Sequence, residues 1–256
     1  MKKPVETDSR SSLWPLTEWS GSGFLPSSLG RDADGLNQLI LKYQTPLKVY
    51  LLSTFPGLEG EVEELLQDFT QDKILKEGWL SKPDRSKGRF RDFLKRSLSN
   101  FVKDQMRRRA HAPLSLDELE VDISAAQPAT ELFDLNWTRA ILAEVLKRME
   151  TDCKAPGKDQ PRRSHIWEVF RLRLLQPALE DAEPVGYDEI IRRFAIVSPF
   201  DAQNMLATAK RIFTRHLNAV VGEYENGEEA VKMEIEAIKQ FLSRLGKKKG
   251  NKSPQD

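Results

Sequence analysis

A chain of 256 residues, 39% apolar and 31% charged, has length for about two compact domains and is too polar for one large core. Its 40 Lys and Arg nearly cancel 39 Asp and Glu, so net charge alone argues for no class of partner. A single cysteine excludes an intrachain disulfide, the three scattered histidines supply no metal-ligand spacing, and no apolar run approaches the ~18 residues of a membrane span.

Residues 1–35 read as an N-terminal arm, broken by Gly21-Ser22-Gly23 and Asp34-Gly35. Trp14, Trp19 and Phe24 make part of this arm apolar enough to pack on the first domain. No apolar run succeeds Lys2 and Lys3, so no secretory leader is expected and the cytoplasm is the expected location. Residues 36–55 carry Leu36, Leu39, Ile40, Tyr43, Leu47 and Leu51 at helical spacing, with Pro46 inside and Pro56-Gly57 as the stop. A second helix over 59–76 buries Val62, Leu65, Leu66 and Phe69 and turns Glu59, Glu61, Glu63, Glu64, Asp68 and Asp72 outward. After a loop over 78–88, residues 89–109 form a third helix with Phe90, Phe93, Leu94, Leu98, Phe101, Val102 and Met106 on its inner side. These three helices make a first bundle domain over 36–111.

Residues 112–130, rich in acid and proline, read as a flexible linker. The second domain, 131–222, is expected to contain helices over 132–149 and 162–179, then a short helix over 187–195 and a longer one from Pro199 past His216. Ser198-Pro199-Phe200-Asp201 is a strong helix start, combining a capping hydroxyl, proline at the first helical position and an acid three residues after the cap. A short helix, a tight turn and a second helix outline a helix-turn-helix, whose early polar positions are Gln203, Asn204, Thr208, Lys210 and Arg211. Residues 223–256 supply a last helix, about 227–245, and a basic tail. The expected fold is therefore all-α, two helical-bundle domains joined by a flexible linker, the second holding the helix-turn-helix.

Charge is informative only locally. Between Arg85 and Arg109 ten Lys and Arg face Asp92 and Asp104 alone, an excess of eight positive charges in 25 residues. Such density suits a phosphate backbone, and the interleaved Phe90, Phe93 and Phe101 could stack on unpaired bases or fill the core. The acidic second helix suits solvent or a basic protein partner.

Several stretches resemble the extracytoplasmic-function type of the sigma-70 class of RNA polymerase sigma factors. They are Tyr43-Gln-Thr-Pro-Leu-Lys-Val-Tyr-Leu51, Val62-Glu-Glu-Leu-Leu-Gln-Asp-Phe69, Lys87-Gly-Arg-Phe-Arg-Asp-Phe-Leu94 and Asn100-Phe-Val-Lys-Asp-Gln-Met-Arg-Arg-Arg109. The similarity spans about 36–109 and, less sharply, 132–220. It implies that Glu64, Gln67, Asp68 and Phe69 form the polymerase-binding surface. It also implies that Arg89, Arg91, Asn100, Lys103, Asp104, Arg107 and Arg108 engage a −10-like element, and that the helix from Pro199 reads a −35-like element. Thr70 stands where the family prefers an apolar residue, and the helix from Pro199 is unusually rich in alanine.

The partners implied are core RNA polymerase and promoter DNA, with an anti-sigma factor as a further candidate. Two DNA-contacting domains joined by nineteen residues, ~63–68 Å at full extension, would gain affinity once both are held on polymerase. A stand-alone helix-turn-helix regulator, and a helical protein–protein adaptor without DNA binding, are the rival readings. No catalytic residues, metal or cofactor are expected, because no phosphate-binding glycine loop and no acid, histidine or nucleophile grouping occurs.

Overall fold

Apolar residues recurring every three or four positions produce helices wherever the chain is described. The structure, a computed structural model, describes residues 33–71, 89–110, 123–157, 159–180, 182–225 and 227–250. These contain nine α-helices and no strand. The chain is all-α and divides into two compact units, Met1–Ala140 with Gly222–Asp256, and Ile141–Val221.

In the first unit, α1 (Ala33–Thr54) runs through Pro46 and ends at a turn where Gly57 adopts φ 96°, a left-handed conformation that glycine takes without steric cost. Helix α2 (Val62–Phe69) and helix α3 (Phe90–Ala110) pack with α1. The unit also contains the first part of α4 (Ile123–Lys154) and all of α9 (Glu228–Gly250). Its core is aromatic. Tyr43 of α1 stacks on Trp137 of α4 at 3.9 Å between ring centroids, and Tyr224 meets Trp137 edge-on at 5.4 Å. Phe90 lies 5.9 Å from Tyr224, so α3 is tied to the segment leading into α9.

In the second unit, α5 (Gln160–Phe170) continues through a π-helical turn, Arg171–Leu175, into the short α6 (Gln176–Glu180). Helix α7 (Tyr187–Phe194) precedes α8 (Pro199–Val221), and both α5 and α7 pack on α8. Met149, Cys153, Ile166, Trp167, Phe170 and Ala209 form one apolar cluster. Val169, Leu172, Ile190, Ile196 and Ala202 form a second, which seats α7. Alanines at 202 and 209 let α8 approach its neighbours closely, so its small residues serve packing as well as exposure.

Three expectations about organisation change. The first boundary falls between Ala140 and Ile141, inside α4, instead of near 131. The linker expected at 112–130 lies outside the described residues up to 122, and its remainder, 123–130, is the start of α4 despite Pro128. The last helix, set at 223–256 outside both expected domains, groups with the first unit, where Tyr224, Glu225, Glu234, Ile235, Ile238 and Phe241 are buried. The N-terminal arm up to 32, the stretch 72–88 with its expected loop, and the end of the tail, 251–256, lie outside the described residues.

Candidate nucleic-acid interface

The helix-turn-helix is built from its turn outward. Helix α7 is strongly two-sided, with Ile190 wholly buried and Arg192 and Arg193 exposed. It stops at Ala195, whose φ of 50° and ψ of 41° are left-handed, and the Ile196 amide donates to the Ile191 carbonyl at 3.1 Å. Ile196 then turns inward and Val197 outward. Ser198 caps α8 as its sequence suggests: the Asp201 amide donates to Ser198 Oγ at 3.1 Å, and Ser198 Oγ donates to the Asp201 carboxylate at 2.6 Å.

Two further devices hold the unit in place. Arg173, on the π-helical turn, donates to the Val185 carbonyl at 2.7 Å and lies 4.3 Å from the Tyr187 ring centroid, which fixes the entry to α7. Asp152 of α4 accepts from Arg215 of α8 at 2.6 Å, from Arg163 of α5, and contacts His216 Nε2 at 3.3 Å. Burial alone would raise the Asp152 pKa. The hydrogen bonds from Arg163 and His216, with the charges of Arg163 and Arg215, outweigh it and hold the carboxyl below its ordinary range.

Of the residues expected to read a −35-like element, Gln203, Asn204, Lys210 and Arg211 are exposed on the outer face of α8. Thr208 is half-buried and spends its hydroxyl on the Asn204 carbonyl at 2.8 Å, which removes it from that face's donors. Sequence reasoning missed Val197 and Phe200, which are 92% and 69% exposed. The signal was present: Phe200 falls out of phase with Ala202, Ala209 and Leu217, which mark the buried face.

The first unit gives a more divided result. Glu64 and Gln67 are exposed on α2 and Asp68 is half-buried, whereas Phe69 is fully buried and meets Phe101 edge-on at 5.6 Å. Part of the acidic face is already paired, Glu63 with Lys48 and Glu61 with Arg109. On α3, Asn100, Asp104 and Arg108 are exposed, and Lys103 and Arg107 are half-buried. Arg107 donates to Asp104 at 3.1 Å, one turn back.

Arg91 requires correction. It is 1% exposed and stands 3.5 Å from Glu234 of α9 and 3.7 Å from Asp134 of α4. A guanidinium enclosed between two carboxylates has no open path to a phosphate. Lys95 is likewise buried, 3.1 Å from Asp92 and 3.7 Å from Asp134, with its ammonium 5.0 Å from the Phe133 ring centroid. Arg89, half-buried, is bound to Asp92 at 2.8 Å. The basic run therefore works partly as an internal ion cluster, and its outward charge among the described residues is concentrated at Arg96 and at Lys103 to Arg109.

Glu225 completes this cluster by accepting the Phe90 amide at 3.0 Å. Burial, reinforced by the nearby Glu234, pushes its pKa up to about 7 against the opposing pull of the Phe90 amide and Arg91. Burial also raises Glu234, and it raises Tyr43 and Tyr224 well above their ordinary range.

Among the described residues, no group of His, Cys, Asp or Glu is arranged to hold a metal ion, and no helix is long and apolar enough to cross a membrane. The chain matches no family model, no curated protein and no solved structure.

Proposed function

We propose that this chain binds duplex DNA through α7 and α8 and acts in transcription. The observation that carries this reading is the outward face of α8. A reciprocal cap and a left-handed turn set the helix in place, and its first four turns present Gln203, Asn204, Lys210 and Arg211 to solvent. Carboxamides near the start of such a helix suit base edges in the major groove, and basic residues further along suit phosphates. Selection of bound duplexes from a random library by the purified full chain tests the reading. Enrichment of a defined element, lost in Asn204→Ala, is expected. Absence of any enriched duplex overturns stand-alone DNA binding.

A fuller form of the same proposal is a sigma factor of the extracytoplasmic-function type, with core RNA polymerase, promoter DNA and an anti-sigma factor as partners in the cytoplasm. It is favoured by Glu64 and Gln67, exposed on a helix whose other face is fully committed to the core. In this form α2 docks on polymerase, the end of α3 engages the −10-like element and α8 the −35-like element. No covalent chemistry is asked of the chain. Reconstituted transcription with core polymerase separates the two forms: specific initiation that depends on the chain supports the sigma role, and binding without initiation supports a stand-alone regulator. An adaptor without DNA binding predicts neither.

A further inference from the structure

The tip of the helix-turn-helix places apolar and carboxamide side chains on one solvated surface. Val197 and Phe200 hold apolar side chains in water, 92% and 69% exposed. On the same face, one turn further along α8, Gln203 and Asn204 present carboxamides. Ala207, also exposed, adds no bulk there, so the helix is narrow at this point. Asp201, the nearest acid in sequence, accepts a hydrogen bond from Ser198.

We propose that this tip reads thymine–adenine pairs, with Val197 and Phe200 packing on thymine 5-methyl groups and Gln203 and Asn204 addressing adenine edges. A T·A pair shows the major groove a methyl group beside an acceptor and donor pair, and apolar side chains with Asn or Gln are what complement it. Charge complementarity favours DNA over an apolar protein surface as the occupant. Arg192 and Arg193 on α7 are exposed, as are Lys210 and Arg211 about three turns beyond Phe200 on α8. The inference deepens the duplex-binding reading and rests on it.

Uracil lacks the 5-methyl group and otherwise pairs as thymine does, so it isolates the contact. Full-length protein is titrated with its selected duplex and with the same duplex carrying deoxyuridine in place of thymidine. The expected result is about fourfold weaker binding per methyl group removed, the equivalent of ~0.8 kcal/mol for one apolar carbon. Phe200→Ala and, separately, Val197→Ser should bind the thymidine duplex more weakly and discriminate less between the two duplexes. Both positions are exposed, and helicity and melting temperature verify that the variants fold. Equal binding of the two duplexes by the wild-type chain overturns the thymine inference while leaving DNA binding intact. Absence of binding to any duplex overturns both. Loss of polymerase binding in Phe200→Ala, with no sensitivity to uracil, assigns the tip to a protein partner and also overturns the inference.

Discussion

Arg91 Nε stands 3.5 Å from Glu234 Oε2, with both side chains withdrawn from solvent. The pair joins the first turn of α3 to α9, and Asp134 of α4 closes the other side of the guanidinium. Burying charges is costly, and a buried ion pair replaced as a whole is often no loss, whereas removing one partner strands the other. Arg91→Met should therefore destabilise the first unit by about 3–5 kcal/mol, and Arg91→Met with Glu234→Leu should recover much of it. Urea unfolding followed through the buried Trp137 measures both. A stable Arg91→Met variant with selectively weakened DNA binding would contradict the inward position.

Glu225 gives the first unit a pH dependence of known sign. Its folded pKa of about 7 lies above the ordinary 4.5, so between these values the folded state holds more proton than the unfolded chain. Stability from this group is greatest below about pH 4.5, falls as pH rises to about 7, and is level above. Glu225→Gln keeps an acceptor for the Phe90 amide and cannot ionise. It should flatten the decline and stabilise the protein at pH 8 by up to ~3 kcal/mol, the equivalent of the pKa displacement. Glu234, raised in the same direction, leaves a residual slope. Unfolding free energies from pH 5 to 8 provide the measurement. Equal slopes in the two proteins would rule out this role.

The far end of α3 carries the DNA prediction for the first unit. Arg107 and Arg108 lie beyond the internal ion cluster, with Arg107 held by Asp104. Replacing both by alanine should weaken promoter binding of the polymerase complex and reduce the logarithmic salt slope by about one for each phosphate no longer engaged. Titration at several salt concentrations reads both quantities. Unchanged affinity and slope would remove this helix from the DNA surface.

The turn of the helix-turn-helix predicts a gain. Ala195 is the one non-glycine residue with positive φ among the described residues. Ala195→Gly should relieve that strain and raise stability by up to ~1 kcal/mol, without changing the sequence the chain selects. Ser198→Ala should lower it by about 1 kcal/mol through loss of the cap. Melting temperatures test both, and a destabilised Ala195→Gly would show that the turn bears no strain.

The helices themselves are readable because their causes are local. Residues 199–201 start α8 through a cap, a proline and an acid within four positions, and Pro56-Gly57 stops α1 within two. The outer face of α8 follows from phase alone, although Thr208 fails as a donor there because its hydroxyl bonds back to its own helix. The polarity of 112–130 suggests a linker, yet 123–130 are helical, Pro128 included, and the two-unit division falls inside that helix.

The sequence by itself determined that the chain is helical, about where most of its helices begin and end, and, on α2, which apolar stripe is buried. Only the tertiary structure decided what a charged stripe meets. At 100° per residue Arg91 and Lys95 fall on the same side of α3 as Leu98 and Val102, opposite Arg107, but phase does not name the carboxylates that meet them there. Glu225, 135 residues from Phe90 along the chain, and Glu234 reach the start of α3 only through folding. There they turn Arg91 into an internal counterion and leave the far end of the same helix open to a partner.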